Sequence, residues 1–336
     1  MNSFGRIFRA NIFGESHGEG VGVIVDGCPA GLPLTVEDFL PDLERRKGGI
    51  QKGTTPRKED DLPIFKSGIF NNKTTGAPIN ILFENKNTRS GDYEKQRAVP
   101  RPGHADFVAH EKFGGNEDYR GGGHFSGRLT VALVAAGVIA KKLLLISNNN
   151  LQVEVKSSIL EVGGETDIDK GLQKAIDAKD SVGGIVECRV SNLPAGLGEP
   201  FFDSVESVLS HAVFAIPAVR AIEFGMGFGA AKMFGSEHND AIENINGKTK
   251  TNHAGGVVGG ITNGNEFVFR IAIKPTSSTP KEQQTLNWDT KEIEPFSVKG
   301  RHDLCIALRV PVVLEAVTAI VLADFLMLEQ KIKRVL

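Results

Sequence analysis

Six short clusters in this sequence combine groups that handle protons with groups that hold anions. The first, Gly14-Glu15-Ser16-His17-Gly18, sets a histidine between glycines, beside a serine, just before an apolar run. Glycine lets backbone come close to a ligand, and histidine can hold or release a proton near neutral pH. The second is Arg101-Pro102-Gly103-His104-Ala105-Asp106, where a proline and a glycine fix the backbone ahead of the histidine. The third runs from Asp118 through Tyr119-Arg120-Gly121-Gly122-Gly123-His124-Phe125-Ser126 to Arg128 and into an apolar stretch. Successive backbone N–H groups at a helix start form an anion site. The fourth, Lys274-Pro275-Thr276-Ser277-Ser278, offers a lysine and three hydroxyls suited to phosphate. The fifth, Gly300-Arg301-His302-Asp303 with Arg309 behind it, groups base, acid and cation. The sixth, Asn252-His253-Ala254-Gly255-Gly256, is weaker.

A basic segment adds to these. Arg45, Arg46, Lys47, Lys52, Arg57 and Lys58 occur with no carboxylate between them, on a stretch loosened by Gly48, Gly49 and Gly53. Arginine suits carboxylate and phosphate. Taken singly, each cluster has a plain structural explanation: a solvated loop, a glycine turn or a salt-bridged helix entry. Together they describe a site for a strongly anionic, phosphate-bearing substrate. None has metal-ligand spacing, and no serine or cysteine stands out as an activated nucleophile. Gly225-Met226-Gly227-Phe228-Gly229-Ala230 imitates a dinucleotide loop, but its glycine spacing is wrong and no βαβ unit follows.

Composition narrows the class. The 336 residues are 40% hydrophobic and 24% charged, with net charge -2, so no global basic field points to nucleic acid. Cys28, Cys188 and Cys305 lie far apart with no CxxC pair, which favours a reducing, cytoplasmic setting over a disulfide framework. Met1 to Arg9 carries no apolar run, so no secretory signal is expected. Leu129 to Ala140 ends at Lys141, and the C-terminal apolar run is interrupted by Glu315 and Asp324. Both fall short of the about 18 uninterrupted apolar residues of a membrane span and read as buried helices.

The elements that must position the clusters repeat. Val21 to Asp26 reads as a strand, Gly27 to Gly31 as a turn, and Thr35 as the cap of a helix through Arg46. Pro-Ala-Gly-Leu at 29–32 returns at 194–197, again after a strand (Val182 to Val190) and before a helix, here capped by Asp203 and ending near Phe214. Ser67-Gly68-Ile69 leads to a strand from Pro78 to Glu84, as Gly259-Gly260-Ile261 leads to one from Glu266 to Ile273. Two related halves follow from this order. Gly- and Asn-rich turns between strands favour antiparallel sheets and an α+β fold. Helices are expected over Leu129–Leu145 and about Val312–Lys333, and residues 1–336 read as one domain.

The six clusters, in this order, resemble those of the chorismate synthase family, and the likeness runs from about Gly5 to Leu326. It implies a β-α-β sandwich and a homotetramer. It also implies 1,4-elimination of phosphate from 5-enolpyruvylshikimate 3-phosphate, dependent on reduced FMN, with NADPH entering only through a separate flavin reductase. By resemblance His17 serves the leaving phosphate, His104 the flavin, and Asp303 and Ser16 a proton relay. FMN contacts are implied at His124, Phe125, Ser126, Pro217, Ala218, Gly259, Lys274, Pro275, Thr276, Ser277, Ser278 and Arg301. Arg45 and Arg309 have substrate charges to meet, and Arg46 and Lys52 match NADPH or anion contacts. The chain departs from the common family pattern where His124-Phe125-Ser126 replaces Arg-Ser-Ser, and at Lys52, Pro217 and Leu304. Two other readings are an inactive relative that binds FMN as a sensor, and an NADP oxidoreductase; the latter lacks a dinucleotide fold.

Overall fold

The structure, a computed structural model, describes residues 2–49, 52–55, 59–87, 97–146, 152–298 and 302–335. In chain order the first half holds β1 (Ser3–Phe4), β2 (Arg9–Gly14), β3 (Gly20–Asp26), α1 (Leu40–Arg46), β4 (Ile64–Ser67), β5 (Ile69–Phe70), β6 (Lys73–Thr74), β7 (Ile79–Glu84), α2 (Asp106–Phe113) and α3 (Thr130–Ile146). The second holds β8 (Glu154–Val162), α4 (Ile168–Ala178), β9 (Gly184–Ser191), α5 (Val205–Val213), β10 (Val219–Phe224) and α6 (Gly235–His238). After these come β11 (Val257–Val258), β12 (Ile261–Thr262), β13 (Phe267–Ile273), β14 (Gln283–Leu286), β15 (Ile293–Phe296) and α7 (Val310–Leu328).

Two antiparallel sheets sandwich α3 and α7, as the α+β reading expected. One sheet has the order β1-β2-β3-β7-β4, the other β8-β9-β13-β10. Their inner faces follow from period-two alternation. Val21, Val23 and Val25 of β3 and Ile79, Ile81 and Phe83 of β7 are buried, as are Phe267, Phe269, Ile271 and Ile273 of β13. Between the sheets lie helices apolar on nearly every face, which only burial on all sides can satisfy. By length and composition both could cross a membrane, but most of each is buried inside the fold.

The repeat has a structural counterpart at atomic detail. Leu32 N–H donates to Thr74 Oγ1 (2.9 Å), the hydroxyl donates to Pro29 O (2.6 Å), and two backbone bonds, Gly31 N to Thr74 O and Thr74 N to Leu32 O, complete the set. Leu197 N–H donates to Thr262 Oγ1 (2.9 Å), this hydroxyl to Pro194 O (2.7 Å), with backbone bonds Gly196 N to Thr262 O and Thr262 N to Leu197 O. Both sheets also share the strand sequence β2-β3-β7-β4 and β8-β9-β13-β10.

Some boundaries differ from expectation. Ser204, not Asp203, caps α5, because its hydroxyl accepts from Ser207 N–H (3.1 Å). The expected helix after Thr35 is a 3-10 turn, Val36–Asp38, followed by α1. The last helix ends at Leu328, before the charged tail.

The two acids that interrupt the C-terminal apolar run are structural. Asp324 accepts from the backbone N–H groups of Arg6, Ile7 and Phe8 at 2.7–2.9 Å. Glu315 takes a two-pronged bond from Arg45 (2.7 and 2.8 Å), another from Lys141 (2.8 Å) and one from Ser157 N–H (3.0 Å). Burial opposes the Glu315 charge, but Arg45 and Lys141 outweigh it and hold the carboxyl below its ordinary value.

Helices α3 and α7 meet at Gly137, where a methyl group would collide with both Cα and Cβ of Ala316. Gly137→Ala sets helix propensity, which favours alanine by about 1 kcal/mol, against overpacking, which costs about 1–3 kcal/mol or more. Backbone has little room to yield here, so the variant is predicted to be less stable than the parent in urea unfolding. Equal or greater stability would show that the helices part at no cost.

Candidate active site

A cleft of about 420 Å³ opens where the segment joining β7 to α3 meets the one joining β13 to α7. Its size suits a small ligand or cofactor. The first segment contributes Arg101, Gly103, His104, Gly121 and Phe125 to Arg128; the second contributes Lys274 to Ser278, His302, Asp303 and Arg309. Both buried helices begin at this cleft, since Thr130 and Val310 line it. Their positive ends therefore favour an anion there. Among the described lining residues Arg46, Lys47, Arg101, Arg128, Lys274 and Arg309 face only Glu59, Asp61 and Asp303 as carboxylates.

The two histidines that the sequence singled out lie against one glycine arch. Gly121, Gly122 and Gly123 all have positive φ (60°, 82° and 51°), a run that side chains resist. A methyl at Gly121 would collide with the His17 ring, and one at Gly122 would sit 3.0 Å from His104 Cε1. Ser16 N–H donates to Gly123 O (3.1 Å), tying the first cluster to the arch. Gly121 and His104 line the cleft; Ser16 and His17, both buried, do not, and His17 lies against Gly121.

His104 is held by its own motif. Its Nδ1 lies 2.6 Å from Asp106 Oδ1. Burial opposes the Asp106 charge, but Arg101 and His104 outweigh burial and hold the carboxyl well below the usual range. An ionised carboxylate only accepts, so the network assigns the proton to Nδ1 and the lone pair to Nε2. Arg101 braces the same carboxylate through Nε and Nη2, each at 2.7 Å. Burial pushes the imidazole below the ordinary histidine value, with Arg101 and Lys274 adding to the effect against the pull of Asp106. The Gly103 carbonyl just before the ring accepts from Lys274 Nζ (2.6 Å) and Ser277 Oγ (2.8 Å), so the second half clamps the loop of the first.

The cations are tied down as well. Arg46 Nη2 donates to Asp61 Oδ2 (2.6 Å), and Arg128 pairs with the other oxygen of the same carboxylate. Burial opposes the Asp61 charge, but these two arginines outweigh it and keep the carboxyl below its ordinary value. Asp303 accepts from Thr55 N–H (2.8 Å) and Arg309 Nη1 (3.2 Å), while Arg309 Nε donates to Arg46 O (2.8 Å).

The structure thus gathers His104, Phe125, Ser126, Pro217, Ala218, Lys274, Pro275, Thr276, Ser277, Ser278, Asp303, Arg46 and Arg309 in one cleft. Other expected residues are elsewhere. Arg45 is spent on Glu315, because a buried acid on α7 needs its charge. Lys52 reaches out to Gln173 (3.3 Å). His124 turns to the N-terminal strands, bonding Gly14 O (2.8 Å) and Asn2 Oδ1 (3.2 Å), and lines a largely apolar pocket that adjoins the cleft at Phe125, Ser126, Thr130 and Pro217. Gly259 is exposed between β11 and β12 and lines no part of the cleft. The His253 loop is folded around Asp240 instead. Arg301, Arg57 and Lys58 lie outside the described residues. Arg101, Arg128 and Asp61 were missed as site residues. Arg101 opens a flagged motif and Arg128 closes one, so local signals existed for both; Asp61 had none.

A family model described as chorismate synthase matches residues 8–327. A chorismate synthase of Chitinophaga pinensis is 72% identical over 335 residues, covering 100% of this chain and 99% of that protein. One from Methanocaldococcus jannaschii is 43% identical, over 97% of this chain and 96% of that protein. A crystal structure of a chorismate synthase superposes with a TM-score of 0.73 at 26% identity, covering 97% of this chain and 93% of the other. Sequence likeness along the whole length and a shared fold agree, and the chain belongs to the chorismate synthase family, carbon–oxygen lyases of the shikimate pathway.

Proposed function

We propose that the chain eliminates phosphate from 5-enolpyruvylshikimate 3-phosphate to give chorismate, with reduced FMN bound in the cleft. The observation that carries this reading is the glycine arch: His17 lies against Gly121 and His104 against Gly122, at the wall of a cleft whose described residues include six cations and three carboxylates. The residues present fit a flavin phosphate and a polyanionic substrate. Buried cations offset the cost of taking such charges out of water. The Thr276 hydroxyl is buried at the cleft with no hydrogen-bond partner among the described residues, as a polar atom set for a ligand would be. NADPH acts only through a separate flavin reductase. The protein works in the cytoplasm as a homotetramer, each protomer one domain over residues 1–336.

Reduced FMN, when bound, supplies electron density toward the breaking C–O bond and a place for the ring proton. The chain does the rest by position and charge. Arg46, Arg128 and Arg309 hold the anionic groups. His17, behind Gly121, stabilises or protonates the departing phosphate. Burial favours the neutral imidazole of His104, and with Nδ1 held by Asp106, Nε2 would be the atom left for a bound flavin. Ser16 shares the buried side of the arch with His17, whereas Asp303 faces the cleft. Phe125, the aromatic that departs from the common family pattern, walls the cleft together with Pro217.

The decisive assay is anaerobic, with dithionite-reduced FMN and the phosphorylated enolpyruvyl substrate. Chorismate and inorganic phosphate should appear together; tight FMN binding with no product would instead favour the sensor reading. His17→Ala should lower turnover by about 10²–10⁴-fold, the span for a lost general acid, while FMN still binds. Gly121→Ala should do similar damage by pushing the His17 ring aside, and parental activity in it would remove the arch from the mechanism. The His104 shift also has a sign. Its folded pKa lies below the unfolded value, so the unfolded chain binds the proton first as pH falls. Stability should drop as pH is lowered through about 6.5, and His104→Gln should flatten that part of the curve. An unchanged slope would show that His104 is not the group responsible.

A further inference from the structure

An acid at the floor of a site built for anions calls for a reason. Asp61 has no exposed side-chain surface, and the side chains of Arg46 and Arg128 that flank it are 4% exposed. It comes from the segment before β4, while Arg46 ends α1 and Arg128 precedes α3, so three separate stretches of chain converge on one carboxylate. Its backbone has φ of 50°, a left-handed conformation uncommon outside glycine, asparagine and aspartate. Such a conformation persists only where the surroundings enforce it.

The other contacts of the arginines are weaker or partial. Arg46 Nη1 reaches Thr130 Oγ1 at 3.3 Å, and its Nε is buried with no hydrogen-bond partner among the described residues. Arg128 Nε donates to Asn85 Oδ1 (3.0 Å), and its Nη2 reaches Glu84 O at 3.4 Å. Neutral acceptors alone would leave two buried like charges side by side. A guanidinium has five donors in a rigid plane, so the oxygen that takes one of them also fixes where the others face.

We infer that Asp61 is a positioning residue, whose two carboxylate oxygens set the planes of Arg46 and Arg128 so that they meet the phosphate ester as one paired cation. This rests on the cleft being the phosphate-ester site proposed above. Before substrate arrives, Asp61 serves as the internal counter-ion of the pair. After it arrives, Asp61 keeps the guanidiniums in register while the ligand anion takes their remaining donors.

Two variants test this, each read by steady-state kinetics per folded molecule and by the rise in Tm that inorganic phosphate causes, with sodium chloride at matched ionic strength as control. Asp61→Asn keeps the shape and removes the charge. Its kcat should fall by about 10²-fold, the cost of misplacing a binding group by about an ångström. Phosphate should raise its Tm by more than in the parent, because the added anion replaces the lost counter-ion. Asp61→Glu keeps the charge but moves it by one methylene. Its kcat should fall as well, with a phosphate response like the parent's, and it carries the test if the asparagine variant fails to fold. A residue that merely stabilised the fold would leave turnover per folded molecule unchanged. That result in either variant overturns the inference, as does an equal phosphate response in Asp61→Asn and the parent. If phosphate stabilises none of the three proteins, the arginine pair is no anion site and the reading of the cleft fails with it. Equal stabilisation of all three with unchanged turnover removes Asp61 alone.

Discussion

Backbone contact between two apolar helices is the constraint on which the rest of this molecule depends. Because Gly137 has no side chain, α3 and α7 come together against Ala316. The sheets then close over them from both sides, with Phe83 and Phe267 among the side chains fully buried. Each large side chain so buried contributes about 1.5–3 kcal/mol before entropy is counted. The charged groups that α7 does bury, Glu315 and Asp324, are each paired by side chains or backbone. Both helices start at the cleft, each led in by a 3-10 turn whose carbonyls take the first N–H groups. The positive ends of two helix dipoles still favour negative charge, and the two starts share one opening.

Charge in the cleft is arranged by a second constraint. Cations kept dry must have partners, or they would lose their charge or their place. Asp61 partners Arg46 and Arg128, Asp303 partners Arg309, and Asp106 partners Arg101. These acids reduce the attraction for an incoming anion, yet they hold each guanidinium still. The same economy governs His104, whose Nδ1 is committed to Asp106 so that only Nε2 is left to choose a partner. Rigid placement of a few groups does more for a reaction than a larger unsupported charge.

Much of this was legible in the residues, and for local reasons. A run such as Gly121-Gly122-Gly123 can only mean unusual backbone, and Arg101-Pro102-Gly103-His104-Ala105-Asp106 contains a complete hydrogen-bonded unit within six residues. Alternation gave the strands, and the uniformly apolar runs gave the buried helices. What local reading does not reach is long-range. Arg45 sits beside Arg46 in sequence, but its partner Glu315 is 270 residues away. Nothing near Arg45 signals that one neighbour on α1 faces the cleft and the other a buried acid. Asp61 was overlooked because it sits in an acidic stretch that reads as solvated surface. His124 was read as a flavin contact by likeness to relatives; its ring bonds Gly14 O and Asn2.

The matched threonine staples at Thr74 and Thr262 carry a consequence for how such a protein can change. Two copies of one plan face each other across a single opening, and each contributes a different wall: residues before α3 on one side, residues before α7 on the other. A ligand without symmetry never needs the walls to match. The two walls carry different residues, Arg101 and His104 on one and Lys274 and Asp303 on the other. The departure at His124-Phe125 lies in the stretch before α3, with Phe125 in the cleft wall and His124 turned toward Gly14 and Asn2.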